Sequence, residues 1–201
     1  MENKKMNKQT LLSIIYVMVV VLAGVSVAYA ALSSTLTVTT NKITQSALTW
    51  NVGFQTGTVT PIEGGTSNEG RTCGAATVTA SSVTIAQTTL SKPGDSCTYA
   101  LTIKNTGSID ATLATITPVT PSSTSCTNSG ASMVCGSAGH EITYKLTTDS
   151  TGDTLLTNGG TLAKSTGTQI VYLVVKYTGS QTGSSDEVHN NGGFTLIYNQ
   201  K

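Results

Sequence analysis

Apolar residues along this chain recur at every second position over most of its length, a spacing that restricts it to β-sheet. Leu36 and Val38 alternate with threonine over residues 35–40. Leu48, Trp50, Val52 and Phe54 share one face of the next stretch, which predicts a core position for Trp50. Val83 with Ile85, then Tyr99, Leu101 and Ile103, then Ile142, Tyr144 and Leu146, and finally Phe194, Leu196 and Tyr198 repeat the pattern. Leu113 and Thr115 lead into Ile116, in a strand expected to stop near Pro118. Residues 170–177 are apolar at nearly every position, as a central strand covered on both faces requires.

Turn signals punctuate these runs at Glu63-Gly64-Gly65, Lys92-Pro93-Gly94-Asp95, Asn158-Gly159-Gly160 and Asn190-Asn191-Gly192-Gly193. Gly and Asn supply positive φ there at low steric cost. The Gly-rich stretch Gly57–Gly74 reads as a long surface loop. No amphipathic helix of ordinary length follows residue 31. Eight or nine short strands with such turns predict an all-β fold, a jelly-roll or immunoglobulin-like β-sandwich, with residues 31–201 as a single domain.

The first thirty residues have a different character. Lys4, Lys5 and Lys8 precede an apolar run over residues 11–27, and Ala28-Tyr29-Ala30 supplies the small residues a signal peptidase accepts. The expectation is a signal peptide cleaved between Ala30 and Ala31. The alternative is retention of residues 11–27 as a membrane helix, since the run extended through Leu32 is about long enough to span a bilayer. Cleavage removes three lysines and Glu2, and turns a formal charge of +1 into −1. The remaining charges are scattered, so no basic patch is present to hold phosphates, which argues against a nucleic-acid partner. Near-neutrality also gives copies of the chain little mutual repulsion.

Charged residues make up only 10% of the chain, and Ser and Thr together nearly three residues in ten. Disorder normally carries more charge and fewer β-branched residues. A mucin-like stalk would need more than the four prolines present.

Four cysteines, Cys73, Cys97, Cys126 and Cys135, form an even set behind an export segment, which predicts disulfides. Of the three connectivities, Cys126 with Cys135 and Cys73 with Cys97 are favoured. The first closes a short Asn/Ser/Gly-rich loop; the second ties a strand start to an upstream loop. Loop closure assigns them ~2.7 and ~3.4 kcal/mol. Their spacing, with no nearby histidines, is not that of a zinc site.

No catalytic or cofactor-binding set is expected. His140-Glu141 begins like the zinc-protease sequence His-Glu-x-x-His, but Tyr144 stands at the second histidine and the segment alternates as a strand. Gly136-Ser137-Ala138-Gly139 lacks the spacing of a nucleophile elbow. Asp149 and Asp153 have oxygens suited to calcium, in a spacing unlike an EF-hand loop, and read as turn residues. His189 reads as a solvated loop residue.

Two segments together resemble a known family. Lys92-Pro93-Gly94-Asp95 leads into the alternating strand Ser96–Lys104 and the turn Asn105-Thr106-Gly107, then a second strand from Ser108 to Pro118. Ala28-Tyr29-Ala30-Ala31-Leu32-Ser33-Ser34-Thr35-Leu36-Thr37-Val38 follows the signal segment. The combination resembles the camelysin and TasA type of exported protein of Gram-positive bacteria. The resemblance implies a secreted jelly-roll domain, at the cell surface or beyond, that polymerises with itself into matrix fibres. It also implies that the mature N-terminal strand, carrying Leu36 and Val38, completes the sheet of a neighbouring copy. The metalloprotease activity associated with camelysin-type proteins is not carried over, because the zinc motif is missing. The four cysteines depart from the family's pattern.

Overall fold

A computed structural model describes residues 48–65, 70–122, 124–181 and 192–201. The expected export segment, its cleavage site at Ala28, Ala30 and Ala31, the expected membrane helix over residues 11–27, and Leu36 and Val38 lie outside the described residues, as does His189. Among the described residues no helix is long and apolar enough to cross a membrane.

The described residues are all-β. In chain order the strands are β1 (Val52–Phe54), β2 (Gly57–Val59), β3 (Ile62–Gly64), β4 (Ala76–Val78), β5 (Val83–Ile85), β6 (Ser96–Asn105), β7 (Ala111–Val119), β8 (Cys126–Ser129), β9 (Ser132–Cys135), β10 (Ile142–Thr147), β11 (Thr161–Leu162), β12 (Gly167–Tyr177) and β13 (Gly193–Gln200). A seven-stranded antiparallel sheet runs β1-β6-β12-β10-β9-β8, with β3 also on β6. Two three-stranded sheets, β2-β4-β5 and β11-β7-β13, pack against it in a sandwich-like arrangement.

Alternation decides which side chains meet. In the large sheet the register places Leu101 opposite Val171, Tyr99 opposite Leu173 and Cys97 opposite Val175. It then places Tyr144 opposite Val175 and Met133 opposite Tyr144. These side chains form one face, buried with Ala76, Val78, Ala111 and Leu113 of the smaller sheets. The predicted central strand is central: β12 lies between β6 and β10, and Val174 on its other face is buried too.

Lys92-Pro93-Gly94-Asp95 closes as a type II turn. Pro93 takes the position that fixes its φ, Gly94 has φ +93°, and Asp95 N donates to Lys92 O at 3.0 Å. Asp95 is buried, its carboxylate accepting Ser91 N (3.0 Å) and Lys92 N (2.9 Å). The buried Arg71 guanidinium donates to Gly64 O (2.8 Å) and lies 3.2 Å from Glu63 and 3.8 Å from Asp95, so it anchors the return of β3 beside the turn.

Both favoured disulfides are present. Cys73–Cys97 has a Cα–Cα distance of 5.7 Å and Cys126–Cys135 one of 4.2 Å. Cys126 and Cys135 are direct cross-strand partners in the β8–β9 hairpin, whose two-residue loop begins at Gly130 with φ +54°. Such bonds persist in an oxidising compartment.

Two expectations are corrected. The stretch Gly57–Gly74 contains β2 and β3 and a bridge from Thr72 to Thr89; three-residue strands are too short for periodicity to register. The chain leaves β6 at Gln55, whose N–H donates to Thr102 O (2.8 Å). It then pairs with β4 and returns to β6 at Ile62, stitching the two layers together. Strand β7 ends at Val119, next to the expected stop at Pro118, and β11 pairs only with Ala111 and Thr112. The far half of β7 has one open edge, where a missing N–H is tolerated.

Trp50 is 40% exposed and Leu48 59%, not buried. Before β1 the chain pairs with the turn after β6, through Thr106 N to Asn51 O and Ser108 N to Thr49 O. That turn lies at the end of the sheet, and these side chains stay open to solvent there.

Candidate functional site

The two small sheets of the second layer are not hydrogen-bonded to each other. Among the described residues β5 pairs only with β4, and β13 only with β7, so each ends its sheet in an unpartnered edge. Between the edges lies a cavity of about 1090 Å³. Its floor is the core face of the large sheet, with Leu101 from β6, Val171, Leu173, Val175 and Tyr177 from β12, and Ile142, Tyr144 and Leu146 from β10. One wall is residues 81–91, around β5; the other is residues 192–196, at the start of β13, with Val119. Sheet edges offer N–H and C=O groups to a further strand, whereas the side chains of this floor, Ile142 apart, are themselves buried.

Polar groups cluster at one end. The Tyr177 hydroxyl donates to Gln181 O at 2.6 Å, so the His140 ring donates to it from Nδ1 at 2.9 Å. His140 precedes β10, while Tyr144 is within that strand and faces the core, so the two do not share a helix face. The Glu141 carboxylate accepts Gly139 N at 3.0 Å, and this backbone contact holds its pKa below the usual carboxylate range. Near the other wall, the Tyr99 hydroxyl donates to Gly74 O at 3.0 Å and shares a 3.1 Å hydrogen bond with Thr88; burial is the larger effect and raises its pKa.

Asp149 is occupied by its own loop. The Thr151 hydroxyl donates to it at 2.6 Å, and Gly152 N, Asp153 N and Thr154 N donate at 2.8, 3.1 and 2.6 Å. Those donors, Thr151 foremost, hold its pKa well below the usual range. An Asx turn thus holds the Asp149 carboxylate, with Asp153 contributing its backbone N–H. On the outer face of the large sheet a hollow of about 130 Å³ lies over Val174, rimmed by Lys145, Lys176 and Asp153.

Sequence reasoning missed the groove. Its walls come from segments about a hundred residues apart, and the signal available was only that β5 and β13 would both end sheets. Comparison with protein-family models, with curated proteins and with solved structures finds no match to this chain.

Proposed function

We propose that this chain is an exported structural subunit of extracellular matrix fibres in a Gram-positive-type bacterium, and that copies join by strand donation. The mature N-terminal segment, with Leu36 and Val38, completes the sheet of another copy, whose domain is a jelly roll. That β5 and β13 each end a sheet among the described residues is the observation that carries this reading. In the segment from Ala31 to Thr40, Leu36 and Val38 alternate with threonine, the pattern of a strand with one apolar and one polar face. The export segment and the two disulfides suit the same compartment.

Electron microscopy of protein from culture supernatant tests this directly. Filaments of chains beginning at Ala31 are expected. Leu36→Asp or Val38→Asp should abolish them while leaving the circular dichroism unchanged. Filaments that survive both substitutions would remove strand donation. A monomer whose own residues 31–42 fill the groove would return the segment to its own sheet. A chain that keeps residues 1–30 and pellets with membranes would make it an anchored surface module. The exposed Trp50 favours a second reading, a carbohydrate-binding surface module, because sugar sites use exposed aromatics. Retention on insoluble polysaccharide that is lost in Trp50→Ala would support it.

A further inference from the structure

We infer that the hollow on the outer face of the large sheet, between Lys145, Lys176 and Asp153, is a binding site for an acidic sugar, a hexuronate unit. The inference is independent of the fibre reading. It concerns the face turned away from the core, and it holds whether or not copies join.

The sheet register builds the site. Lys145 on β10 stands directly opposite Val174 on β12, and Thr143 opposite Lys176. Lys145 and Lys176 are therefore diagonal neighbours on one face, about 7–8 Å apart. Among the described residues, the outward strand positions of this sheet include Lys104, Lys145 and Lys176 and no acid. Lysines scattered along the chain thus come to share a face. Buried Val174 forms the floor of the hollow. The loop after β10 overhangs it, since a Cβ at Gly152 would lie 3.5 Å from the Val174 methyls. Asp149 fixes that loop through its backbone N–H groups, and Lys145 Nζ donates to Gly152 O at 3.2 Å. The hollow is therefore shaped before any ligand arrives.

Its chemistry has two sides. An ammonium carries three N–H donors. Gly152 O takes one from Lys145, which leaves two for a ligand, and Lys176 is exposed beside it. The opposite side offers acceptors. Asp153 accepts the Thr151 hydroxyl at 2.7 Å on Oδ2 and has capacity for further donors. The Thr178 hydroxyl donates to Glu141 O at 3.3 Å, so the Thr143 hydroxyl donates to Thr178 at 2.8 Å and keeps its lone pairs for the hollow. A bare sulfate would satisfy the lysines but face Asp153 as a like charge. A neutral sugar would satisfy Asp153 and leave the lysine pair without a counter-charge. A uronate serves both, with its carboxylate on the lysines and its hydroxyls donating to Asp153 and Thr143. Val174 then takes the C–H face of the ring, as apolar lining with a few placed polar groups does in small-molecule sites. The volume, about 130 Å³, is roughly ten times what one water needs, room for a ring and not only an ion.

Titration of the isotope-labelled mature chain with glucuronate, read from the amide signals of Val174 and Gly152, tests the assignment. Both signals should move and saturate, and glucose and sulfate should each bind about tenfold more weakly, the loss of one charge-assisted contact. Lys176→Gln and Asp153→Asn, both at exposed side chains, should each weaken glucuronate about tenfold with circular dichroism unchanged. Asp153→Asn should at the same time strengthen sulfate, because the like charge is gone. Signals that stay still in glucuronate would overturn the site, as would wild-type affinity in both variants. Sulfate binding as tightly as glucuronate would overturn the sugar, and glucose binding as tightly would overturn the role of the lysines.

Discussion

Replacing Asn105 by alanine should be among the most damaging single changes to this fold. The side chain is fully buried at the end of β6. Its amide donates to Ile109 O (2.8 Å) and Leu162 O (3.1 Å), and its carbonyl oxygen accepts Gly107 N (3.0 Å). One side chain thus joins β6, the turn into β7 and strand β11. Alanine would leave three backbone groups without this partner, and two of their residues, Gly107 and Leu162, are buried. Orphaning a buried backbone group costs about 1–3 kcal/mol, so the two together cost about 2–6 kcal/mol. At a urea slope of ~2 kcal/mol per molar, the unfolding midpoint of the mature protein should fall by roughly 1–3 M. Asn105→Asp keeps the acceptor for Gly107 but loses both donors and buries a charge, so it should be no milder than alanine. A loss below ~1 kcal/mol for alanine would refute the reasoning, because water or a shifted turn would then be satisfying those groups.

The double variant Cys73→Ala/Cys97→Ala should lose about 3.4 kcal/mol and Cys126→Ala/Cys135→Ala about 2.7 kcal/mol, following loop length; urea melts of both would show whether that order holds. Asp149 has a folded pKa below its unfolded value, so its stabilisation is present above the unfolded pKa and is lost as pH falls through the folded one. Asp149→Asn should therefore be less stable than wild type at pH 7, with the gap closing in acid; a gap independent of pH would contradict this. Burial pushes the Tyr198 hydroxyl up to about 12 from 10.0, so its contribution is present below pH 10 and lost as pH rises through that window. Alkaline unfolding should be shallower in Tyr198→Phe, and unchanged curves would contradict that assignment.

The strands that carry the core were legible in the sequence because period-two alternation is itself the consequence of one face being buried. Ser96–Asn105 and Ile142–Thr147 are of this kind; β12 was legible instead from its continuous apolar run, and the Pro93-Gly94 turn from residues that carry its dihedral angles with them. The disulfide pairing was legible too, since a short loop closure is a property of spacing along the chain. Trp50 marks the limit of this reasoning. It keeps perfect phase with Val52 and Phe54, yet phase says which side a residue faces and not whether anything lies opposite. The groove belongs wholly to the tertiary structure. Whether β5 and β13 meet or stand apart depends on how two small sheets, joined to the large one through residues far apart in sequence, settle on its face. Local propensity and alternation hold no information on that distance.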